Sequence, residues 1–375
     1  MRRAVIVCAL GLFGCSPATV VENPKIFVPG VGVANQDCRA AICQHNENTD
    51  MVNWMGATYL VHRTARSQVL GPNSALHVYR TTDNGEHFID LATLPAELGR
   101  DLRDPHFYTV KGTLYIKALA RLPLTTPRDS DVDTVALRFS STDGNTWTYE
   151  GEMGPHGWSF WRIKAVNGVL YTAAYQDGDK SVVLYSSTDG KTWTAGATVY
   201  DVAADTPLET ELMFFPSGRL LALVRTDGDN NELIGTQGRL RTFPCWADPP
   251  YATFTCPGPI NGQRLDGPLG LFWKDRLFVI ARKHLGEDGR KRTALFELTG
   301  DFTTNSIPVV IDRGELPSAG DTSYAGAVPV DDHRFLVTWY SSNLLDDETW
   351  ITALLNASDI WKATLNLAAL PVGPK

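Results

Sequence analysis

The chain has 375 residues, with 34 Lys and Arg against 42 Asp and Glu and a net charge of −8. That balance, with no Lys/Arg-rich run, argues against nucleic acid as a partner, because phosphate must be neutralised to be bound. The length suits one large all-β domain or two smaller ones, and 32 Gly and 22 Pro punctuate short alternating segments rather than long helical periods.

Arg2 and Arg3 precede an apolar run, Ala4 to Phe13, of signal-peptide rather than transmembrane length. The run closes on Leu12-Phe13-Gly14-Cys15, which resembles a bacterial lipobox. The resemblance implies cleavage before Cys15 and lipidation of that cysteine. Ser16, where an aspartate would signal retention, implies the outer membrane in a diderm host. Residues 1–14 are thus expected to be the signal peptide, 15–48 a lipidated tether and N-terminal extension, 49–366 the folded body and 367–375 a tail. No other apolar run approaches the roughly 18 residues of a membrane helix, so contact with the membrane is expected through the lipid alone.

Excluding Cys8 and Cys15, four cysteines remain, and in an exported chain their short spacings predict the disulfides Cys38–Cys43 and Cys245–Cys256. No Cys-x-x-Cys or nearby histidine pair indicates zinc. Neither a metal nor a cofactor is expected.

Three turn motifs follow strand-like runs: Thr81-Thr82-Asp83-Asn84-Gly85-Glu86-His87-Phe88, Ser141-Thr142-Asp143-Gly144-Asn145-Thr146-Trp147 and Ser187-Thr188-Asp189-Gly190-Lys191-Thr192-Trp193. In each the aspartate is placed to accept backbone N–H groups, the glycine to take positive φ, and the aromatic to pack beneath. A second element, a turn leading into an apolar strand, recurs six times, at Ala57, Gly112, Gly168, Gly218, Asp275 and His333. Such periods indicate a repeat architecture, with units beginning near Val52, Pro105, Phe160, Glu211, Leu269 and Ala325. The expected fold is all-β, a six-bladed β-propeller, in which the innermost strands bring distant residues to one mouth of a central channel.

Polar residues at the starts of those strands are therefore the site candidates: Arg103 and Asp104, Arg162 beside Trp161, Glu209 and Glu211, Asp266, and Tyr324. Arg63, Arg225 and Arg282 end apolar second strands, where a guanidinium is costly to bury without an anion. Trp161 is a candidate stacking wall for a sugar ring.

The turns resemble the Asp boxes of the sialidase (neuraminidase) superfamily, and the similarity runs weakly but in order from about Val52 to Leu355. It implies an exo-glycosidase of terminal, acidic sugars, with carbohydrate as partner and the propeller turns on the outer blade edges. Tyr324 resembles the nucleophile, Glu209 or Glu211 its base, and Arg225 and Arg282 two of the three arginines that grip the sugar carboxylate. The first strand, Asp50-Met51-Val52-Asn53-Trp54, lacks the arginine sialidases carry there, leaving Arg63 or Arg103 as the neighbouring charge. Arg103-Asp104-Pro105 is similar to the Arg-Asp-Pro of arabinanase- and xylosidase-type glycosidases, which makes Asp104 a candidate acid or the tuner of one. A non-catalytic glycan-binding propeller fits the same pattern.

Overall fold

The structure, a computed structural model, describes residues 19–31, 37–69, 71–97, 99–121, 134–176, 180–228, 241–286 and 289–371. The expected signal peptide and Cys15 lie outside the described residues. The chain is nearly all β, and its strands form five hydrogen-bonded sheets among the described residues, none closing on itself. Three are four-stranded antiparallel meanders whose first strands are Asp101–Val110, Ser159–Val166 and Asp266–Trp273. A three-stranded meander begins at Pro207–Phe214. The eight-stranded sheet holds two runs, one starting at His45–Trp54 and the other at Thr322–Pro329. The pairing ladder joins those runs, among the described residues, through the parallel pair His45 and Ser358.

The first strands pack side by side in sequence order, from His45–Trp54 through Asp101–Val110, Ser159–Val166, Pro207–Phe214 and Asp266–Trp273 to Thr322–Pro329, which returns to the first. Apolar residues fill the space between neighbouring sheets, as in the cluster of Leu76, Val78, Leu114, Ile116 and Phe139. Alternation along each strand gives one sheet two buried faces, so burial of both faces holds the ring together without hydrogen bonds between sheets.

Strands begin earlier than the sequence indicates. His45–Trp54 starts seven residues before Val52, and Val21–Val28 pairs with Ser358–Asn366, so the segment expected as a tether adds an edge strand. Both predicted disulfides are present, Cys38–Cys43 and Cys245–Cys256. The second pins the segment after Arg241–Ala247 back onto that strand, where Trp246 and Thr255 exchange backbone hydrogen bonds at 2.9 Å each. An edge that would otherwise offer free N–H and C=O groups is thereby covered.

The three turn motifs have the expected chemistry. Asp143 Oδ1 accepts from the N–H groups of Asn145 and Thr146 at 2.8 Å, and Asp189 repeats this with Lys191 and Thr192. These bonds hold both exposed carboxyls at about 2. Trp193 packs beneath its turn edge-on to Phe160.

Candidate functional site

All six first strands share one irregularity near their start. Two consecutive residues stand opposite a single residue of the next strand, at Asn48-Thr49, Asp104-Pro105, Trp161-Arg162, Leu208-Glu209, Gly267-Pro268 and Tyr324-Ala325. Such bulges bend a strand and re-aim its side chains. Asn48, Asp104, Gly267 and Tyr324 take positive φ there, an uncommon conformation for residues other than glycine, asparagine or aspartate. Pro105 and Pro268 suit the second bulge position because they have no N–H to leave unpaired.

The bulges put Asn48, Asp104, Leu208, Glu209 and Tyr324 around one cavity of about 170 Å³. Gly267 leaves the fifth position open, for a Cβ there would stand 3.1 Å from the Tyr324 ring. The sixth bulge residue, Trp161, does not reach the cavity. It is fully buried and sets its ring edge-on beneath Tyr324, with centroids 5.9 Å apart.

Tyr324 is the centre of the polar network. Its hydroxyl donates to Glu209 Oε1 at 2.7 Å and accepts from Arg225 Nη1 at 2.9 Å. The same Nη1 meets both oxygens of Glu209, at 2.9 and 2.8 Å. Arg225 spends its Nε and Nη2 on Asp227, both at 3.0 Å. Burial, then the charge of Glu209, pushes the Tyr324 phenol well above its usual range despite Arg225 and Arg282. A proton leaving that phenol must therefore pass to a base, and Glu209 is the carboxylate in contact with it.

Arg282 lies over the Tyr324 ring, 5.1 Å from its centroid. It donates to Thr322 O, Asp321 Oδ1 and the Tyr340 hydroxyl at 2.8, 3.0 and 2.8 Å. Across the cavity Asp104 accepts from Asn48 Nδ2 at 2.5 Å. Burial raises the Asp104 carboxyl above the usual carboxylate range; Lys117 and Arg103 oppose the rise, while Glu209 and Glu47 add to it. A carboxyl that keeps its proton nearer neutrality is what a general acid needs.

Of the residues singled out in the sequence, Asp104, Glu209, Tyr324, Arg103, Arg225 and Arg282 line the cavity together. Five others do not. Glu211 points away between sheets, accepting from Lys164 Nζ at 2.7 Å and Gly270 N at 3.0 Å. Arg63 is fully buried behind the wall, bidentate on Asp101 at 2.8 Å and bonded to Glu47. Arg162 ties Asp50 to the Ala325 carbonyl, at 2.6 and 2.7 Å. Asp266 is fully buried among Arg225, Arg264 and His284; burial opposes its charge, but the two guanidinium groups, with the hydrogen-bonded His284, hold its carboxyl well below the usual range. Trp161 supports Tyr324 from beneath instead of offering a stacking face. In each case the charge or ring is engaged within the sheet packing and does not line the cavity.

Sequence reasoning missed Glu47, Asn48, Arg121, Tyr340 and Trp350, which also line the cavity. Tyr340 was within reach, since it ends the apolar run Phe335-Leu336-Val337-Thr338-Trp339 as Arg282 ends its own. Trp350 was not, because it comes from a four-residue helix, Trp350–Ala353, in a long connection.

With that geometry in view, comparisons place the fold. No protein-family model and no curated protein matches the chain. Solved structures do: a protein of unknown function from Dyadobacter fermentans (17% identity, 93% of this chain and 99% of that one, TM-score 0.67), the NanB sialidase from Streptococcus pneumoniae (12%, 92% and 71%, TM-score 0.67), and an alpha-L-arabinanase from Penicillium chrysogenum complexed with arabinobiose (15%, 94% and 100%, TM-score 0.62). The chain thus has a sialidase-like propeller fold. Its neighbours of this fold include glycoside hydrolases, and several of those structures hold sugars or inhibitors.

Proposed function

We propose that this chain is a glycoside hydrolase that removes one terminal sugar from a glycan, with Tyr324 as nucleophile, Glu209 as its base and Asp104 as the acid. The single observation that carries this reading is the 2.7 Å hydrogen bond from the Tyr324 hydroxyl to Glu209, inside a cavity that also holds Asp104. Glu209 takes the phenol proton as the phenolic oxygen attacks the anomeric carbon, and Asp104 protonates the leaving oxygen. Water, deprotonated by Asp104, then attacks the anomeric carbon of the glycosyl-tyrosine, and the phenolic oxygen leaves with the proton returned by Glu209. Tyrosine nucleophiles are a known exception to the two-carboxylate scheme, suited to a sugar whose anomeric carbon already bears a carboxylate.

An acidic sugar is the substrate class we favour, because Arg103, Arg121 and Arg282 bring positive charge to the cavity wall, with Arg103 also held on Asp101 and Arg282 on Asp321. A neutral sugar is the second reading, favoured by Arg225, whose donors are taken up by Glu209, Tyr324 and Asp227. Six blades follow if the eight-stranded sheet is divided at its His45–Ser358 pair, and the ring of packed first strands supports that count. Export with a lipid anchor at Cys15 completes the proposal, and two disulfides support an oxidising compartment.

A panel of aryl glycosides tests it, comprising a sialoside, a glucuronide and an arabinofuranoside. Turnover of a carboxylated member, lost in Tyr324→Phe, is the expected result. Turnover of the arabinofuranoside alone selects the neutral reading. Sugar binding without turnover of any member overturns hydrolysis in favour of a binding protein.

A further inference from the structure

Lys117 sits on the strand Thr113–Arg121, opposite His106, and has no exposed surface. Its Nζ donates to the backbone carbonyl of Asp104 at 2.9 Å. The same ammonium lies 5.9 Å from the centroid of the Trp161 ring, the ring that supports Tyr324. One buried cation therefore touches the bulge that presents Asp104 and the ring beneath the proposed nucleophile. Asp104 holds φ at 47° in that bulge, a conformation aspartate takes more readily than most residues but at a cost that neighbouring contacts offset. Asn48 supplies support on the side chain and Lys117 on the backbone.

We propose that Lys117 is the positioning residue of the site: its ammonium fixes the Asp104 bulge toward the cavity and provides the counter-charge beneath it. This rests on the hydrolase reading only for the role of Asp104, and the contact itself does not depend on that role. The charged surroundings are specific. Asp104 is faced by Lys117 and Arg103 on one side and by Glu209 and Glu47 on the other. Lys117 in turn meets Asp104, Arg162 and Asp50. Burial, then Arg162, lowers the Lys117 ammonium to about 7, with Asp104 and Asp50 holding it up. Below neutrality the ammonium keeps its charge beside the Asp104 bulge.

The test is a carbon-detected NMR titration of the Asp104 carboxyl in the full chain and in Lys117→Met and Lys117→Gln. Removing a neighbouring positive charge disfavours the carboxylate, so the Asp104 midpoint should rise by about 1 unit or more in both variants. Gln retains a donor for the Asp104 carbonyl without the charge. It should therefore keep more of the turnover than Met, for which kcat is expected to fall about 10²-fold with little change in KM. If Met does not fold, Gln carries the same comparison. An Asp104 midpoint unmoved in the neutral variants overturns the proposal, whatever the turnover. A moved midpoint in a chain that hydrolyses no glycoside leaves Lys117 in place and removes the hydrolase reading instead.

Discussion

Glu209→Gln and Tyr324→Phe are each expected to lower kcat on the best aryl glycoside by about 10³-fold, within the span that a general base and its nucleophile supply. KM should change far less, since neither side chain is the main carrier of substrate charge. The pH profile separates this scheme from direct attack by phenolate. Burial, the largest cause holding the Tyr324 phenol well above its usual range, persists when the Glu209 charge is removed, so phenolate stays scarce around neutral pH. Raising the pH above neutrality should not rescue Glu209→Gln. The wild type should slow as pH rises through the raised Asp104 value, because Asp104 then loses the proton it donates. Steady-state kinetics across pH 5 to 9 check both statements, and a Glu209→Gln enzyme that regains activity in alkali would contradict them.

The largest loss of stability is expected from Arg63→Met. Arg63 is fully buried and pairs with Asp101 and Glu47, so its removal leaves the buried Glu47 without its main partner and Asp101 with Arg103 alone. Breaking a buried pair in this way costs about 3–5 kcal/mol, much more than the apolar packing of Met returns. The cost should depend on pH with a definite sign. Burial pushes the Glu47 carboxyl up, but Arg63 and then His45 override it and hold Glu47 at about 2, below its ordinary 4.5. A depressed folded value stabilises above the unfolded value, and that contribution fades as pH falls from 4.5 toward 2. Urea unfolding at pH 7 and pH 4 should show the gap between wild type and Arg63→Met narrowing at the lower pH. An equal gap at both would mean that lost packing, not the unpaired Glu47 carboxylate, accounts for the effect.

The fold was legible because its signals are local. A turn such as Ser141-Thr142-Asp143-Gly144 specifies its own hydrogen bonds, and the apolar strand after each glycine specifies its own burial. The site was only partly legible, for two physical reasons. Strand starts were placed several residues late, because the polar run His45-Asn46-Glu47-Asn48 does not read as strand although it is buried. The bulges then alter which side of the strand a residue faces. Glu209 and Glu211 have the same parity, yet Glu209 belongs to the bulge and turns to Tyr324, while Glu211 lies beyond it and turns to Lys164. Arg63 and Arg282 end second strands alike, but Arg63 meets Glu47 and Asp101 before it can reach the cavity, whereas Arg282 has the Tyr324 ring in front of it. Pairing of this kind depends on neighbours far away in the chain, and no local pattern carries it.

The measurement that bears most directly on the proposed chemistry is covalent trapping. The full chain is incubated with an activated fluorosugar of the class it turns over, digested, and its peptides mapped by mass spectrometry. A glycosyl adduct on the Tyr324 hydroxyl is expected, absent in Tyr324→Phe and much slower to form in Glu209→Gln. An adduct on Glu209 or Asp104 with Tyr324 unmodified would contradict the proposed chemistry.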